Sequence, residues 1–208
     1  MKQHQVILSL GSNEGNRLAN IERCIEHIQQ EIGTIIRVSK LYETPALGFE
    51  SEKFYNCALV MHSPKIASQI LEEVLALELK LGRVRTGING YQSRIIDIDV
   101  IAFDEEIIDS ENLKVPHPEM QNRLFVLVPM RDLNLDWRHP ILQKYLHELV
   151  VLSEDKSNCK LVKSLETPLK KIPLNQFNYI AIEGNIGAGK TTLSNKLAED
   201  FNAKTVLE

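Results

Sequence analysis

Arg94-Ile95-Ile96-Asp97-Ile98-Asp99-Val100-Ile101 sets two carboxylates and a guanidinium into an otherwise apolar run. A strand rises about 3.3 Å per residue and alternates faces, so Asp97 and Asp99 project from one side, their Cα atoms roughly 6 to 7 Å apart. Acids so placed suit divalent cations, whose charge relieves the repulsion between neighbouring carboxylates. Ile96, Ile98 and Val100 then face the core. The alternative is a half-exposed strand with its polar face in water. Gly82-Arg83-Val84-Arg85 offers two guanidiniums able to clamp phosphate oxygens bidentately, or simply cations complementing a helix C-terminus. His117 is pinned between Pro116 and Pro118, a fixed backbone that suits ligand binding, although a lone histidine is more often structural. Phe54 and Asn56 share a strand face; the amide suits the donor and acceptor edge of a flat heterocycle, while a single aromatic there also reads as core.

The elements that must position these groups follow from periodicity. Val6 to Leu10 reads as a buried strand and Gly11-Ser12-Asn13 as a turn and capping cluster. Leu18, Ile21, Ile25, Ile28 and Ile32 recur at helical spacing, and Gly33 closes that helix. Ile35 to Thr44 and Phe54 to Met61 are strand-like, joined by a loop from Pro45 to Lys53. Ser63-Pro64 supplies an N-cap and a first-turn proline for a helix through Ile66, Ile70, Val74, Leu77 and Leu81, ended by Gly82. After the loop from Arg83 to Ser93 comes the acidic strand. The order βαββαβ predicts an α+β, ferredoxin-like sandwich with both helices on one face of an antiparallel sheet. A hairpin and short helices near Glu119 to Leu127 and Leu142 to Val151 complete a domain over residues 1–152. Residues 153–176 read as a linker with one short strand at Lys160 to Leu165.

The 208 residues carry a net charge of −4 without a Lys/Arg block, which argues against nucleic acid or an anionic membrane as partner. Cys24, Cys57 and Cys159 are odd in number and widely spaced, predicting free thiols, a cytoplasmic location and no zinc site. The five-residue apolar run near the N-terminus is too short for a signal peptide or membrane span. Oligomeric state is left unassigned.

From Ile7 to about Val151 the chain resembles the 6-hydroxymethyl-7,8-dihydropterin pyrophosphokinases of folate synthesis. The resemblance rests on Leu10-Gly11-Ser12-Asn13, Tyr42-Glu43-Thr44-Pro45 with Gly48, Phe54-Tyr55-Asn56, and Glu78 ahead of Gly82-Arg83-Val84-Arg85. It continues through Ser93-Arg94 with Asp97-Ile98-Asp99 and Val115-Pro116-His117-Pro118 with Arg123 and Phe125. It implies diphosphate transfer from ATP to the pterin hydroxymethyl oxygen with release of AMP. Asp97 and Asp99 would hold two Mg²⁺, and Arg83 and Arg94 would steady the transferring group. Glu78, Arg85, Arg94, His117 and Arg123 would serve ATP. The pterin would stack between Phe54 and Phe125, with Asn56 and the Thr44, Pro45 and Leu47 loop at its edge. The alternative is a non-catalytic pterin- or nucleotide-binding module tethered to a nucleoside kinase. Gly90-Tyr91-Gln92-Ser93 ahead of Arg94 departs from the Gly-Pro pair common in the family.

A second motif, Gly184-Asn185-Ile186-Gly187-Ala188-Gly189-Lys190-Thr191, matches the P-loop pattern. Tyr179 to Ile182 reads as the preceding strand, and Leu193, Leu197 and Phe201 as the following helix. Gly184 and Gly189 shape such a loop, Lys190 neutralises phosphate and Thr191 reaches Mg²⁺. Ile182-Glu183-Gly184-Asn185 resembles the deoxynucleoside kinases. Residues 177–208 are thus expected to open a second kinase domain, about 30 residues being too few for an independent core.

Overall fold

A computed structural model describes residues 2–46, 51–83, 93–168, 179–185, 187–201 and 203–206. The chain forms two compact units, residues 1–169 and 170–208.

In the first unit, β1 (His4–Ser12), β4 (Phe54–Ser63) and β5 (Asp97–Phe103) form the antiparallel centre of a sheet, with β5 and β4 flanking β1. Alternation fills the inner face with Val6, Leu8, Leu10, Leu59, Met61, Ile98 and Val100. Against it pack α1 (Arg17–His27), continued by a π-helical turn Ile28–Ile32, and α2 (Ala67–Lys80), through Ile21, Ile25, Ile28, Ile70, Val74 and Leu77. The expected ferredoxin-like order is therefore present. The turn out of the π-helix needs Gly33, because a Cβ there would lie 2.7 Å from the His62 carbonyl oxygen.

The predicted single strand 35–44 is two, β2 (Thr34–Val38) and β3 (Leu41–Thr44), both paired with β4. Ser39 interrupts it: its hydroxyl accepts from Ala58 N at 2.9 Å while its own N–H donates to Ala58 O at 2.8 Å. Gly11 and Ser12 belong to β1 rather than to a turn, and the cap of α1 is Asn16, whose Oδ1 accepts from Ala19 N at 3.1 Å. Helix α2 starts at Ala67, later than Ser63-Pro64 suggested. Ser63 is the last residue of β4, and Gln69 reaches back to the Ile66 N–H at 3.2 Å.

The opposite face of the sheet is divided. Towards one end Ile7, Ala58, Val60, Ile101 and Ala102 are apolar, covered by α3 (Leu124–Asp132) and α4 (Leu146–Leu152) through Val126, Leu127, Met130, Leu146 and Leu149. Towards the other end the same face carries Ser9, Gly11, Asn56, Asp97 and Asp99. A short hairpin, β6 (Ile108–Asp109) and β7 (Lys114–Val115), leads to a cis Val115-Pro116 bond and a 3₁₀ turn Met120–Asn122.

Residues 153–168 are not a free linker. They hold β8 (Lys160–Lys163), which pairs antiparallel with β3, while Leu165 packs on the core. In the second unit the expected strand 179–182 is absent among the described residues; Tyr179 is 79% exposed and no neighbouring strand meets its backbone groups. Glycines 187 and 189, at φ +83° and +77°, turn the chain into α5 (Lys190–Phe201).

Candidate active site

The polar end of the sheet opens into a cavity lined by Ser9, Gly11, Thr44, Pro45, Phe54, Asn56, Arg94, Asp97, Asp99, Arg123 and Phe125. Three strands, one strand end and the start of α3 thus bring together most of the residues singled out by pattern. Register explains the arrangement. Gly11 lies opposite both Asn56 on β4 and Asp97 on β5, and Ser9 lies opposite Asp99, so two neighbouring rows on one face carry the amide with the first acid and the hydroxyl with the second.

Asn56 is buried, and its Nδ2 donates to Thr44 Oγ1 at 2.8 Å. A side chain at position 11 would place Cβ 2.9 Å from Asn56 Oδ1, so the amide can lie over β1 only because residue 11 is glycine. Phe54 and Phe125 contribute phenyl rings to the same wall, and the Arg123 guanidinium lies 5.8 Å from the centre of the Phe125 ring.

Charge is concentrated on Asp97. Its Oδ1 accepts from Arg83 Nη1 at 2.5 Å and its Oδ2 from Arg94 Nη1 at 2.5 Å. Burial raises the Asp99 carboxyl to about 7, the Asp97 charge pushes the same way, and Arg123 opposes them. Burial and Arg123 lower His117, whereas the Asp97 charge raises it, which sets His117, Arg123 and the acids in one electrostatic neighbourhood. His117 Nδ1 accepts from Glu119 N at 3.2 Å, leaving the neutral ring's proton on Nε2.

Three expected site residues stand outside the cavity wall. Glu78 is only 1% exposed and outside the cavity wall, which corrects its expected place among ATP ligands. Its Oε1 accepts from Ile98 N at 2.8 Å and from Arg83 Nη1, so it ties the guanidinium to the acidic strand. A buried carboxylate of this kind is stabilised by the cation it holds. Arg83 reaches the site through Asp97 without lining the cavity, and His117 is also outside the wall. Leu47 and Arg85 lie outside the described residues.

Ser9 and Asn13 escaped the sequence reading as site residues. Asn13 is 2% exposed and joins three segments: its Oδ1 accepts from Arg94 N at 2.7 Å, and its Nδ2 donates to Ser51 Oγ at 3.1 Å and Ser93 Oγ at 3.3 Å. Asn13 N also donates to Arg94 O at 3.1 Å. An asparagine just beyond a strand was the only signal, and it reads equally well as a turn residue.

In the second unit Lys190 Nζ donates to Gly184 O at 2.6 Å and Asn185 O at 2.9 Å, closing the glycine-rich loop on its own lysine.

Comparison with known proteins agrees with the cavity. Residues 7–135 match the family 7,8-dihydro-6-hydroxymethylpterin-pyrophosphokinase (HPPK). The chain is 37% identical over 138 residues to the 2-amino-4-hydroxy-6-hydroxymethyldihydropteridine pyrophosphokinase of Porphyromonas gingivalis, covering 65% of this chain and 93% of that protein. It is 36% identical over 137 residues to the folic acid synthesis protein fol1 of Pneumocystis carinii, covering 65% of this chain but only 18% of that protein. A crystal structure of Plasmodium falciparum HPPK-DHPS shares the fold at a TM-score of 0.58 and 16% identity, over 72% of this chain and 43% of that one. The match spans most of the first unit, including strands β2 to β5, most of β1 and every described residue that lines the cavity, and the chain belongs to the 7,8-dihydro-6-hydroxymethylpterin-pyrophosphokinase family.

Proposed function

We propose that the cavity is the site where ATP passes a diphosphoryl group to 6-hydroxymethyl-7,8-dihydropterin, with Asp97 and Asp99 as the metal-holding pair. The chain is an enzyme of folate synthesis, an ATP:6-hydroxymethyl-7,8-dihydropterin diphosphotransferase. The pterin hydroxymethyl oxygen gives up its proton to solvent and forms a bond to the β-phosphorus of ATP, while the bond from that phosphorus to the α-phosphate bridge breaks, its electron pair leaving with AMP. Acceptor and donor are held in line, so positioning and charge stabilisation carry the rate.

What supports the site reading is the convergence of two carboxylates, two guanidiniums and two phenyl rings on one cavity. The donor set fits Mg²⁺: oxygen ligands only, on a strand where Asp99 cannot easily ionise beside Asp97 unless a cation joins them. Bound there as a pair, Mg²⁺ supplies neutralisation of the triphosphate and of the charge building on AMP. Arg83 and Arg94, paired with Asp97, would clamp the phosphate oxygens. Arg123, His117 and Arg85 hold the rest of ATP. Phe54 and Phe125 sandwich the pterin, and Asn56 with the Thr44, Pro45 and Leu47 backbone reads its edge, so that analogues lacking those groups leave buried polar atoms unpaired. An AMP-release assay with hydroxymethyldihydropterin, ATP and Mg²⁺ tests the reading; turnover is expected, and none from well-folded protein would sink it.

The second unit supports a separate reading, a deoxynucleoside kinase-like P-loop in which Gly184, Gly189, Lys190 and Thr191 face phosphate. Its support is the lysine drawn into the loop and the helix that follows. A nucleoside-phosphorylation assay, and phosphate binding compared between the wild type and Lys190→Met, test that reading. Free Cys24, Cys57 and Cys159 support a cytoplasmic protein. Among the described residues no helix is long and apolar enough to cross a membrane.

A further inference from the structure

The family match ends at residue 135, yet the first unit continues for more than thirty residues, and this extension reaches back to the cavity. Helix α3 begins at Leu124, and its first N–H has no partner within the helix. Arg123, at the N-cap position, supplies no side-chain bond to the turn. The acceptor comes from 31 residues further on: Asp155 Oδ2 takes the Leu124 N–H at 2.7 Å. Asp155 Oδ1 at the same time takes the Ser157 N–H at 2.7 Å, so both carboxylate oxygens are engaged and the side chain is fixed. Burial opposes its charge most strongly, but the Ser157 and Leu124 N–H groups, joined by the Ser157 hydroxyl and the Lys156 charge, together hold the carboxyl below its usual range. An anion at a helix N-terminus is favoured twice, by the hydrogen bond and by the dipole.

The segment carrying Asp155 is itself anchored. A few residues later β8 adds to β3, Tyr42 opposite Leu161 and Glu43 opposite Lys160, and Thr167 Oγ1 accepts from Val38 N at 3.1 Å. Leu124 sits between Arg123 and Phe125, both on the cavity wall. Whatever fixes the Leu124 N–H therefore fixes the backbone from which the guanidinium and the phenyl ring project.

We infer that Asp155 is a positioning residue for the diphosphoryl transfer, holding the first turn of α3 so that Arg123 and Phe125 meet ATP and pterin in one geometry. The inference rests on the roles proposed above for those two residues. A second helix supplies the control. At the N-terminus of α4, Glu148 Oε2 accepts from Tyr145 N at 2.8 Å, a comparable terminal bond on a helix whose first turn contributes nothing to the cavity wall.

The test compares Asp155→Ala, Asp155→Asn and Glu148→Ala in the full chain, measuring Tm, kcat and the KM for each substrate. Asp155→Ala should raise both KM values about fivefold with kcat changed less than twofold, the ratio that loss of one helix cap corresponds to. Asp155→Asn keeps one oxygen acceptor and should recover most of that loss. Glu148→Ala should lower Tm comparably and leave both KM values at the wild-type level. Wild-type KM values in Asp155→Ala, or in the Asn variant no recovery relative to Ala, overturn the inference, as does an equal KM rise in Glu148→Ala. If Asp155→Ala does not fold, Asp155→Asn decides: its neutral acceptor is weaker than the carboxylate, so a residual rise of both KM values of about 1.5- to 2-fold, absent from Glu148→Ala, supports positioning, and KM values in Asn equal to the wild type overturn it. Wild-type KM values in Arg123→Ala and Phe125→Ala as well would place the failure in the site assignment itself.

Discussion

In the first unit the arginines are held against acids, Arg83 on Glu78 and Asp97, and Arg94 on Asp97, whereas in the second Lys190 is held against carbonyl oxygens of its own loop. The first arrangement needs a folded sheet, because its partners come from α2, β5 and the loop before β5. The second needs only seven consecutive residues. Burial follows the same division. The acids and amide of the first unit stand on a sheet whose inner face is packed, while no described residue of the second unit is buried. A familiar motif can thus form its local hydrogen bonds without a core behind it, and a less familiar pair of aspartates can be fully supported. Low-dielectric surroundings strengthen electrostatic contacts, so the buried constellation is the one equipped for chemistry.

The largest effect is expected at the acids. Asp97→Asn and Asp99→Asn should each reduce AMP release on the order of 10³-fold, the scale seen when a group stabilising transition-state charge is lost. Asp97→Asn also removes the charge that holds Arg83 and Arg94. Isothermal titration with Mg²⁺ and a non-hydrolysable ATP analogue should show the metal-dependent heat diminished in both. Wild-type turnover in either variant would falsify the metal assignment.

At the aromatic wall the expected effect is smaller. Phe125→Ala should weaken pterin affinity about tenfold, the magnitude of one lost stacking platform, with ATP-analogue affinity changed far less. Pterin fluorescence titration reads this directly, and an affinity that stays the same or rises would remove Phe125 from the stack. Gly11→Ala tests the same pocket from below: its Cβ would meet Asn56 Oδ1 at 2.9 Å, so the amide must shift and pterin KM should rise while Tm moves little.

Those two positions show how much of the site was legible in the sequence. The shared face of Asp97 and Asp99 follows from strand alternation, Phe54 and Asn56 share a face for the same reason, and Phe125 enters the expected site only through the family resemblance. What escaped was set by long-range pairing. That Gly11 must be glycine depends on its lying opposite Asn56, which is a matter of sheet register. Glu78 enters the expected ATP ligands through the resemblance, and nothing local shows that α2 turns it inward onto Ile98 N and Arg83. Ser63-Pro64 carries good capping chemistry, yet β4 runs on to Ser63, whose hydroxyl donates to Ile32 O at 3.0 Å. The polar stretch after residue 152 resembled a linker because β8 is exposed throughout and gains its order from pairing with β3.

A smaller effect concerns stability against pH, which belongs to the first unit. His139 is 4% exposed, and burial lowers it from the ordinary histidine range. Its Nδ1 accepts from Ile141 N and Leu142 N, each at 3.2 Å, which favours the neutral ring. Because the folded pKa lies below the unfolded one, the unfolded chain binds more protons. Stability should therefore be retained above about pH 6.5 and fall as pH drops through the window down to the folded value. Tm measured from pH 7.5 to 5 should decline, and less steeply in His139→Asn. An identical slope in the two proteins would mean that other groups set it.

The smallest effect is the one that separates the two regions. Lys190→Met removes the amine that closes the glycine-rich loop on Gly184 O and Asn185 O, so any phosphate bound by that loop would lose its cation. The residues proposed for diphosphoryl transfer include Arg83, Arg94 and Asp97, which pair with one another and with Glu78 inside the first unit. AMP release by Lys190→Met should accordingly match the wild-type rate within about twofold, a margin smaller than the factor of ten that 1.4 kcal/mol produces. A severalfold fall would mean that Lys190 serves the pterin reaction.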